Sequence, residues 1–289
     1  MTRLTDNKGI RFIRVIKWSA VLPTLFIALV YSTIGCTVLE DREPCPCYLD
    51  VDYTDILAGR PLDAQPAAFD VTVYNPSVAD AAVYSPEDAP QVDEVRIRKS
   101  MARVVGVFHN RPVRNFLQDG TKVTWERGNQ MDSVFVHSTE VDCTGEDAYC
   151  LLEAHKQFST LTFVDAEGQS ELEKYNLVVR GNTCGFDAAD FLAPIDGEYL
   201  ADVQEDGTGA QHVRVPRQKD ASLVLEFWTK DAQKRKLFSS PIGSYIFSMG
   251  YDKEALDLPD YTIRIDFRNM LMYIRVADWE DEYIYALFK

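Results

Sequence analysis

Histidine is scarce in this chain, and the signature motifs of the common enzyme classes are missing. The 289 residues include 4 histidines, and none of them has the spacing of a metal-ligand pair. The sequence contains no HExxH zinc motif, no GxSxG nucleophile elbow, no P-loop and no GxGxxG fingerprint. We therefore expect a protein that is not an enzyme, with no catalytic residues, no metal site and no cofactor.

Basic residues are also few relative to acidic ones. The chain has 30 Lys and Arg against 45 Asp and Glu, which gives a formal net charge of −15 at pH 7. Binding to nucleic acid depends on neutralising phosphates with basic side chains, so we expect no nucleic-acid partner. An acidic surface is also repelled by anionic lipid headgroups. Any attachment to a membrane must therefore rely on something other than surface charge.

The N-terminal segment has the layout of a secretory signal. Basic residues come first, an apolar run covers residues 21–30, and small residues then lead to Gly35 and Cys36. This order is typical of a signal peptide. The sequence Thr-Ile-Gly-Cys at residues 33–36 resembles a bacterial lipobox, although Thr33 stands where leucine is usual.

We therefore expect residues 1–35 to be cleaved and Cys36 to be lipidated, with palmitate among its acyl chains. Several chains on one cysteine would anchor the protein stably in the outer membrane, whereas a single chain binds only marginally. Residues 36–47 would form an acidic tether of the kind found on surface-exposed lipoproteins. The alternative is an uncleaved transmembrane anchor over residues 18–35, which is near the minimum length for a span.

Disulfides are compatible with an exported protein. If Cys36 is acylated, five cysteines remain, and an odd number leaves one of them without a partner inside the chain. Cys143 and Cys150 flank a turn-rich loop that a disulfide could close. The other candidates are Cys45 and Cys47, either of which could reach Cys184. A zinc site at Cys45-Pro46-Cys47 is disfavoured because one residue between thiols is too few.

The rest of the chain has the pattern of an all-β protein. Leu49, Val51 and Tyr53 alternate with polar residues, as in a half-buried strand. Similar short segments recur, separated by turns such as Asp-Gly at 119–120, and long helical periodicity is scarce. The further predicted strands are 69–74, 95–98, 104–108, 122–126, 133–137, 160–164, 175–180, 212–215, 223–228, 245–249, 261–267 and 271–276. This pattern predicts antiparallel β-sandwiches.

A faint internal repeat indicates two domains in tandem. The strand pair at residues 48–53 and 69–74 resembles the pair at residues 160–164 and 175–180. A polar stretch that carries two cysteines separates the two sets. We therefore predict an N-terminal sandwich over residues 48–150 and a C-terminal sandwich over residues 151–289.

Four segments resemble the FimB-type fimbrial anchor and accessory lipoproteins of the Bacteroides group. Residues 36–53 combine the lipid cysteine, an acidic stretch and Cys-Pro before the first strand. Residues 241–246 resemble the start of a late strand of that family. Residues 258–267 and 272–279 resemble its closing strands, with Asp-Tyr in the first and Asp-Trp after the second.

The resemblance implies two transthyretin-like sandwiches and a structural role in a surface fimbria at the outer membrane. Such anchors attach the filament to the membrane and influence its length and assembly. Their partners would be fimbrial subunits, joined by non-covalent strand exchange, in which an extended strand adds to an open sheet.

The C-terminal segment departs from the family pattern because it continues beyond Trp279 with apolar residues on both faces of a strand. These residues are Tyr283, Ile284, Tyr285, Ala286, Leu287 and Phe288. The odd-numbered residues would face one way and the even-numbered residues the other, and a strand apolar on both faces favours burial on both sides. The segment is either the last strand of its own domain or a strand that contacts the next subunit.

Two other functions compete with the fimbrial interpretation. One is a surface lipoprotein of a nutrient-uptake system that binds glycans on aromatic platforms such as Trp125 or Trp228. The weaker one is a hydrolase, since the many carboxylates could meet in pairs on folding.

Overall fold

A computed structural model describes residues 45–57, 67–75, 78–85, 87–110, 116–168, 171–190, 192–205, 207, 209–277 and 280–287. The predicted signal peptide, Cys36, Trp279 and Phe288 lie outside the described residues. From Pro46 onwards the chain forms one compact unit. Within the described part, no helix is long and apolar enough to cross a membrane.

The described chain is built almost entirely of β-strands. The strands of its first half are β1 (Pro46–Asp52), β2 (Ala68–Asn75), β3 (Val78–Tyr84), β4 (Val92–Arg98), β5 (Met101–His109), β6 (Leu117–Asp119), β7 (Lys122–Thr124), β8 (Val134–Asp142), β9 (Asp147–Leu151) and β10 (His155–Lys156). Those of the second half are β11 (Phe158–Asp165), β12 (Tyr175–Asp187), β13 (Ala193–Asp202), β14 (Gln204–Glu205), β15 (Gln211–Pro216), β16 (Val224–Thr229), β17 (Lys236–Ser240), β18 (Tyr261–Asp266), β19 (Leu271–Val276) and β20 (Glu282–Ala286). Two short α-helices, α1 (Thr54–Leu57) and α2 (Ile242–Ser248), and a 3-10 helix (Leu172–Lys174) accompany the strands. The prediction of an all-β fold is confirmed.

The first half forms a sandwich of two sheets. One sheet has the strand order β4-β1-β9 and the other β10-β8-β5-β2-β3. The alternation predicted for β1 is present, because Leu49 and Val51 point inward and are fully buried. They pack with Phe69 of β2 and Phe108 of β5 in one apolar core. Each buried side chain of this size contributes about 1.5–3 kcal/mol relative to exposure.

The second half repeats the arrangement around a core of its own. Its two sheets have the orders β14-β15-β11-β18-β19-β20 and β17-β16-β12-β7-β6, and β13 pairs with β12 off this path. Phe163 of β11 and Ile263 of β18 lie in the core that these sheets enclose, together with Phe227 of β16. The same core includes Ile242 and Tyr245 of α2.

The first strands of the two halves occupy equivalent positions. β1 lies between an antiparallel neighbour, β4, and a parallel one, β9. β11 likewise lies between antiparallel β15 and parallel β18. In each half the next strand, β2 or β12, belongs to the other sheet. The equivalence agrees with the repeat in the sequence, whereas the two parallel pairs differ from the purely antiparallel pairing that we predicted.

A hairpin from the first half extends a sheet of the second. β6 and β7 pair with each other, and β7 pairs with the end of β12 through Gly185, Phe186 and Asp187. A third apolar core lies here, in which Val107 of β5 contacts the cluster that contains Trp125 and Phe186. The domain boundary at residue 150 stays a prediction, and any such division has to account for this shared hairpin.

One predicted strand is wrong. The predicted strand at 245–249 and the strand start assigned to 241–246 coincide with helix α2, which Pro241 precedes and Met249 follows. A short apolar run does not by itself distinguish a strand from a buried helix turn. Tertiary packing decides here: a Cβ on Gly243 would lie 2.6 Å from the Ala221 carbonyl oxygen and 2.7 Å from the Leu223 nitrogen. Only glycine allows the helix to approach the backbone before β16 so closely.

Candidate functional site

The predicted contact strand is β20, which forms the edge of a six-stranded sheet. It pairs antiparallel with β19 of its own chain, with Tyr273 opposite Ile284 and Met272 opposite Tyr285. No strand of the described residues lies on its other side. The structure therefore places Tyr283, Tyr285 and Leu287 within their own domain, while their predicted role in subunit contact stays a prediction.

The odd- and even-numbered residues of β20 face opposite ways, as the alternation predicted. Only the face with the odd-numbered residues is covered. Tyr283 and Tyr285 pack against the core of the second half, and Leu287 is fully buried in it. On the opposite face Ile284 is 60% exposed and Ala286 is also exposed. The described residues of this chain therefore cover one face of β20, and burial of its second face stays a prediction. Glu282 on the exposed side pairs with Arg264 at 2.6 Å.

Helix α2 holds the inward face of β20 in position. The rings of Tyr245 and Tyr285 stack at a centroid distance of 4.3 Å. The Tyr245 hydroxyl donates to the Ala286 carbonyl oxygen at 2.8 Å, and the Ser248 and Tyr285 hydroxyls are 2.8 Å apart. Burial raises the pKa of Tyr245, with a smaller contribution of the same sign from Tyr285. The Tyr245 phenol is therefore neutral at physiological pH and acts as a hydrogen-bonding group.

The main-chain groups of β20 point alternately to β19 and to the open edge. The Leu287 N–H donates to the Met270 carbonyl at 2.9 Å. In an antiparallel ladder, residues two apart point the same way, so Tyr285 also faces β19. The N–H and C=O of Ile284 therefore point away from β19, towards the outer edge of the sheet.

The described cysteines are free thiols, at positions 45, 47, 143, 150 and 184. Cys143 does not contact Cys150 in a disulfide; its thiol is instead a hydrogen-bond partner of the Cys47 thiol. Cys184 lies against Gly197, where an added Cβ would be 2.4 Å from its sulfur. The disulfides predicted from the sequence are not present among these residues and stay predictions.

Cys150 has a histidine as its neighbour. Its sulfur lies 3.7 Å from Nε2 of His137, whose Nδ1 accepts a 3.0 Å hydrogen bond from the Glu153 N–H. Burial lowers the pKa of His137, so the ring is neutral and carries its proton on Nε2. Desolvation raises the pKa of Cys150 to about 11. A protonated thiol is a poor nucleophile.

The two tryptophans proposed as glycan platforms differ in exposure. Trp125 is 3% exposed and packs between Phe116 and Phe186 in the third core, so it is no surface platform. Trp228 lines an open cavity of about 320 Å³ together with Glu205, Lys230 and other residues. Among the described residues, no group of three or more His, Cys, Asp or Glu side chains is arranged to hold a metal ion.

The fold defines a class: β-sandwich proteins that include fimbrial and adhesin structures of Bacteroides and its relatives. The fimbrial anchor protein Mfa2 from Porphyromonas gingivalis has this fold, with a TM-score of 0.52, 11% identity, and coverage of 81% of this chain and 98% of that one. A proposed polysaccharide-binding protein from Bacteroides thetaiotaomicron matches with a TM-score of 0.57 and 13% identity, over 83% and 98% of the two chains. A proposed adhesin from the same organism matches at 0.53 and 14%, with the same coverage.

Comparison of the sequence with protein-family profiles and with curated proteins finds no match. At identities this low, the structural matches show a shared fold, and they confirm the β-sandwich prediction. The shared fold does not test membership of the FimB type in particular, which stays a prediction.

Proposed function

We propose that this chain is a FimB-type subunit of a surface fimbria, anchored in the outer membrane by lipid on Cys36. It would join a fimbrial subunit by strand pairing, as part of the base or as an accessory of the filament. The fold that it shares with a fimbrial anchor over 98% of that protein's chain supports this proposal. The basic, apolar and small-residue order before Cys36 supports export.

The observation that carries the proposal is the edge of β20 at Ile284, since at Ala286 the edge-side carbonyl already accepts a hydrogen bond from Tyr245. Ile284 presents an exposed apolar side chain, and its main-chain groups point away from β19. β-Augmentation uses this combination, with main-chain hydrogen bonds for affinity and side chains for register. Exposed, unprotected edges are otherwise a liability that proteins avoid.

We further propose that β20 stays in its own domain and receives a strand, rather than leaving to insert into a neighbour. The buried Leu287 side chain and the stack of Tyr285 on Tyr245 hold it there. Removing the strand would expose the apolar core against which these side chains pack.

The test of this edge is an Ile284→Pro variant, with Ile284→Ala as its matched control. Proline removes the outward N–H and leaves the β19 ladder intact, because edge strands tolerate proline where the N–H faces solvent. Alanine retains the N–H. We expect intact filaments to be recovered with the protein at one end from the wild type and the alanine strain, but not from the proline strain.

Two results would contradict the proposal. One is recovery of filaments with the proline variant at wild-type yield. The other is the absence of the protein from filaments purified from a strain that expresses it. The thermal midpoint of each purified variant shows whether the fold is retained, so that loss of assembly is not confused with unfolding.

Lipid anchoring has its own test. A Cys36→Ser variant should lose acyl incorporation and move from the outer-membrane fraction to the soluble fraction. Cys184→Ser is the control, since that cysteine lies on β12, far along the chain from the predicted lipobox. A Cys36→Ser protein that stays in the membrane fraction would support the uncleaved anchor instead.

Glycan binding is the second candidate function, and the cavity beside Trp228 favours it. A tryptophan flanked by charged groups can stack on a sugar ring while Lys230 and Glu205 bind its hydroxyls. A structural neighbour described as a proposed polysaccharide-binding protein has the same fold. Binding of the wild type to immobilised oligosaccharides, lost in Trp228→Ala and kept in Trp125→Phe, would support this function over assembly.

A further inference from the structure

The thiols of Cys47 and Cys143 meet inside the first sandwich. Each is 0% exposed, both belong to the same apolar core, and they are hydrogen-bond partners. We propose that in the exported protein these two cysteines form a disulfide that joins the two sheets of this sandwich.

The register of the strands explains why these two residues meet. Cys47 lies opposite Ile97 near the end of β4. Cys143 directly follows β8, and its N–H donates to the Ser100 carbonyl at 3.1 Å. The chain passes from one sheet to the other between Arg98, the last residue of β4, and Met101, the first residue of β5. The two cysteines therefore flank the same tight corner, one on each sheet, and their side chains point into the space between.

The register of β1 with β9 disfavours a disulfide between Cys150 and Cys47. Cys150 lies opposite Val51 in the β1–β9 pair, four residues beyond Cys47. At about 3.3 Å per residue, that separation is about 13 Å along the strand. A disulfide requires Cα atoms no more than about 7 Å apart. The sulfur of Cys150 has His137 as its neighbour instead.

Formation of the bond is a two-electron oxidation. A thiolate of one cysteine attacks a disulfide of an oxidant, such as a dithiol-disulfide protein or oxidised glutathione, and forms a mixed disulfide. The second thiolate then attacks the cysteine sulfur of that mixed disulfide, and the Cys47–Cys143 bond forms. The oxidant leaves as its reduced thiols with both electrons, and the two protons are released as the thiolates form.

The burial of the pair indicates when this reaction occurs and how long the bond lasts. Desolvation raises the pKa of Cys143 to about 12 in the folded protein, so its thiolate is scarce there. Oxidation is therefore expected while the chain is still folding and the thiols are accessible. Once the core has closed, the bond is shielded from reductants.

The bond would reinforce the sandwich at the point where the tether enters it. If Cys36 carries lipid, as the function proposed above requires, tension on the anchor reaches the domain at the start of β1. A Cys47–Cys143 bond would transfer that tension to the opposite sheet at Cys47, the second residue of β1. The hydrogen bonds of β1 with β4 and β9 would then bear little of it.

The test is a disulfide map of the full chain, exported by its own signal and extracted from membranes. The protein is alkylated under denaturing, non-reducing conditions and digested. We expect a peptide pair linking Cys47 to Cys143, with a mass about 2 Da below the sum of the two reduced peptides. Native protein should resist reduction by dithiothreitol, and the same protein in denaturant should be reduced readily.

Variants provide a second readout that distinguishes a bond from mere packing. Cys47→Ser and Cys143→Ser should lower the thermal midpoint by similar amounts, and the double variant should lower it no further than either. Cys184→Ser is the control and should keep the linked peptide. Alkylation of both Cys47 and Cys143 in the exported wild type, or a map that links Cys143 to Cys45 or Cys150, would overturn the proposal. Release of Cys36→Ser from the membrane tests anchoring separately, since the map can succeed whether or not Cys36 is acylated.

Discussion

The ring of Tyr285 on the last described strand stacks on the ring of Tyr245 in helix α2, with centroids 4.3 Å apart and planes at 12°. The contact joins α2 to β20. The sequence pattern had predicted a strand where α2 lies, and it had left open whether β20 belongs to its own domain or contacts the next subunit. Aromatic pairs of this kind contribute about 0.5–1.5 kcal/mol beyond the area they bury.

The first prediction concerns this stack. Tyr285→Ala should lower the free energy of unfolding by about 3–5 kcal/mol, the range for truncating a large buried aromatic, and less to the extent that the ring is exposed. Tyr285→Phe keeps the ring and loses the hydroxyl contacts with Ser248 and with the Tyr245 carbonyl, so it should cost about 1 kcal/mol. Urea unfolding with a Tyr245→Ala double-mutant cycle measures the coupling. Additive effects would show that the stack contributes nothing of its own.

The second prediction concerns the direction of the main chain in β20. Tyr285→Pro removes an N–H that points to Met272 of β19, so it should cost about 3 kcal/mol or more. Ile284→Pro removes an N–H that points to the open edge and should cost clearly less. Thermal melting of the two variants side by side decides this, and equal losses would contradict the assigned directions.

The third prediction concerns the hairpin shared by the two halves. A Cβ at Gly185 would lie 2.1 Å from the Val123 carbonyl oxygen and 2.9 Å from the Thr124 Cα, so Gly185→Ala must displace β7. Overpacking of this kind costs about 1–3 kcal/mol. Gly145→Ala is the matched control, because its Cβ would have its nearest neighbour at 3.5 Å. Hydrogen exchange in β6 and β7 should increase in Gly185→Ala alone.

The fourth prediction concerns pH. Burial lowers the pKa of His137 below the value of 6.5 of an exposed histidine. Below about pH 6.5 the unfolded chain therefore binds a proton that the folded chain does not, and stability falls as the pH decreases towards the folded pKa. Above about pH 6.5 this contribution is constant.

Replacing His137 by glutamine should flatten that part of the stability profile. Urea unfolding at about pH 7.5 and about pH 5 measures the change. His212→Gln on β15 is a control that changes a histidine outside this pocket. A profile for His137→Gln that remains as steep as that of the wild type would assign the pH dependence to other groups.

The sequence was a good guide to the strands because their signal is local. Alternation in Leu49 and Val51 follows from the two-residue period of a strand with one buried face, and it predicted both the strand and the inward side. The same holds for 271–276, where the predicted bounds are those of β19. The repeat that begins at residues 48 and 160 also marked two strands in equivalent positions.

Other features were decided by contacts between distant residues, for which a local pattern carries no signal. Residues 245–249 have an apolar pattern that fits a strand or a helix, and the close approach of Gly243 to the backbone near Ala221 decided for the helix. The proximity of Cys47 and Cys143 depends on the corner between β4 and β5, since the spacing of cysteines along the chain says nothing about which sheet each one lies on.

By itself, the sequence determined an all-β chain with an excess of acidic residues, because composition, charge and two-residue alternation are local properties; it also predicted an exported lipoprotein. Only the tertiary structure decided that β20 lies at an open edge with Ile284 outward, and that Tyr245 holds it there. Edge position, ring stacking and thiol proximity depend on which distant strands become neighbours, and that choice is made by packing of the whole core.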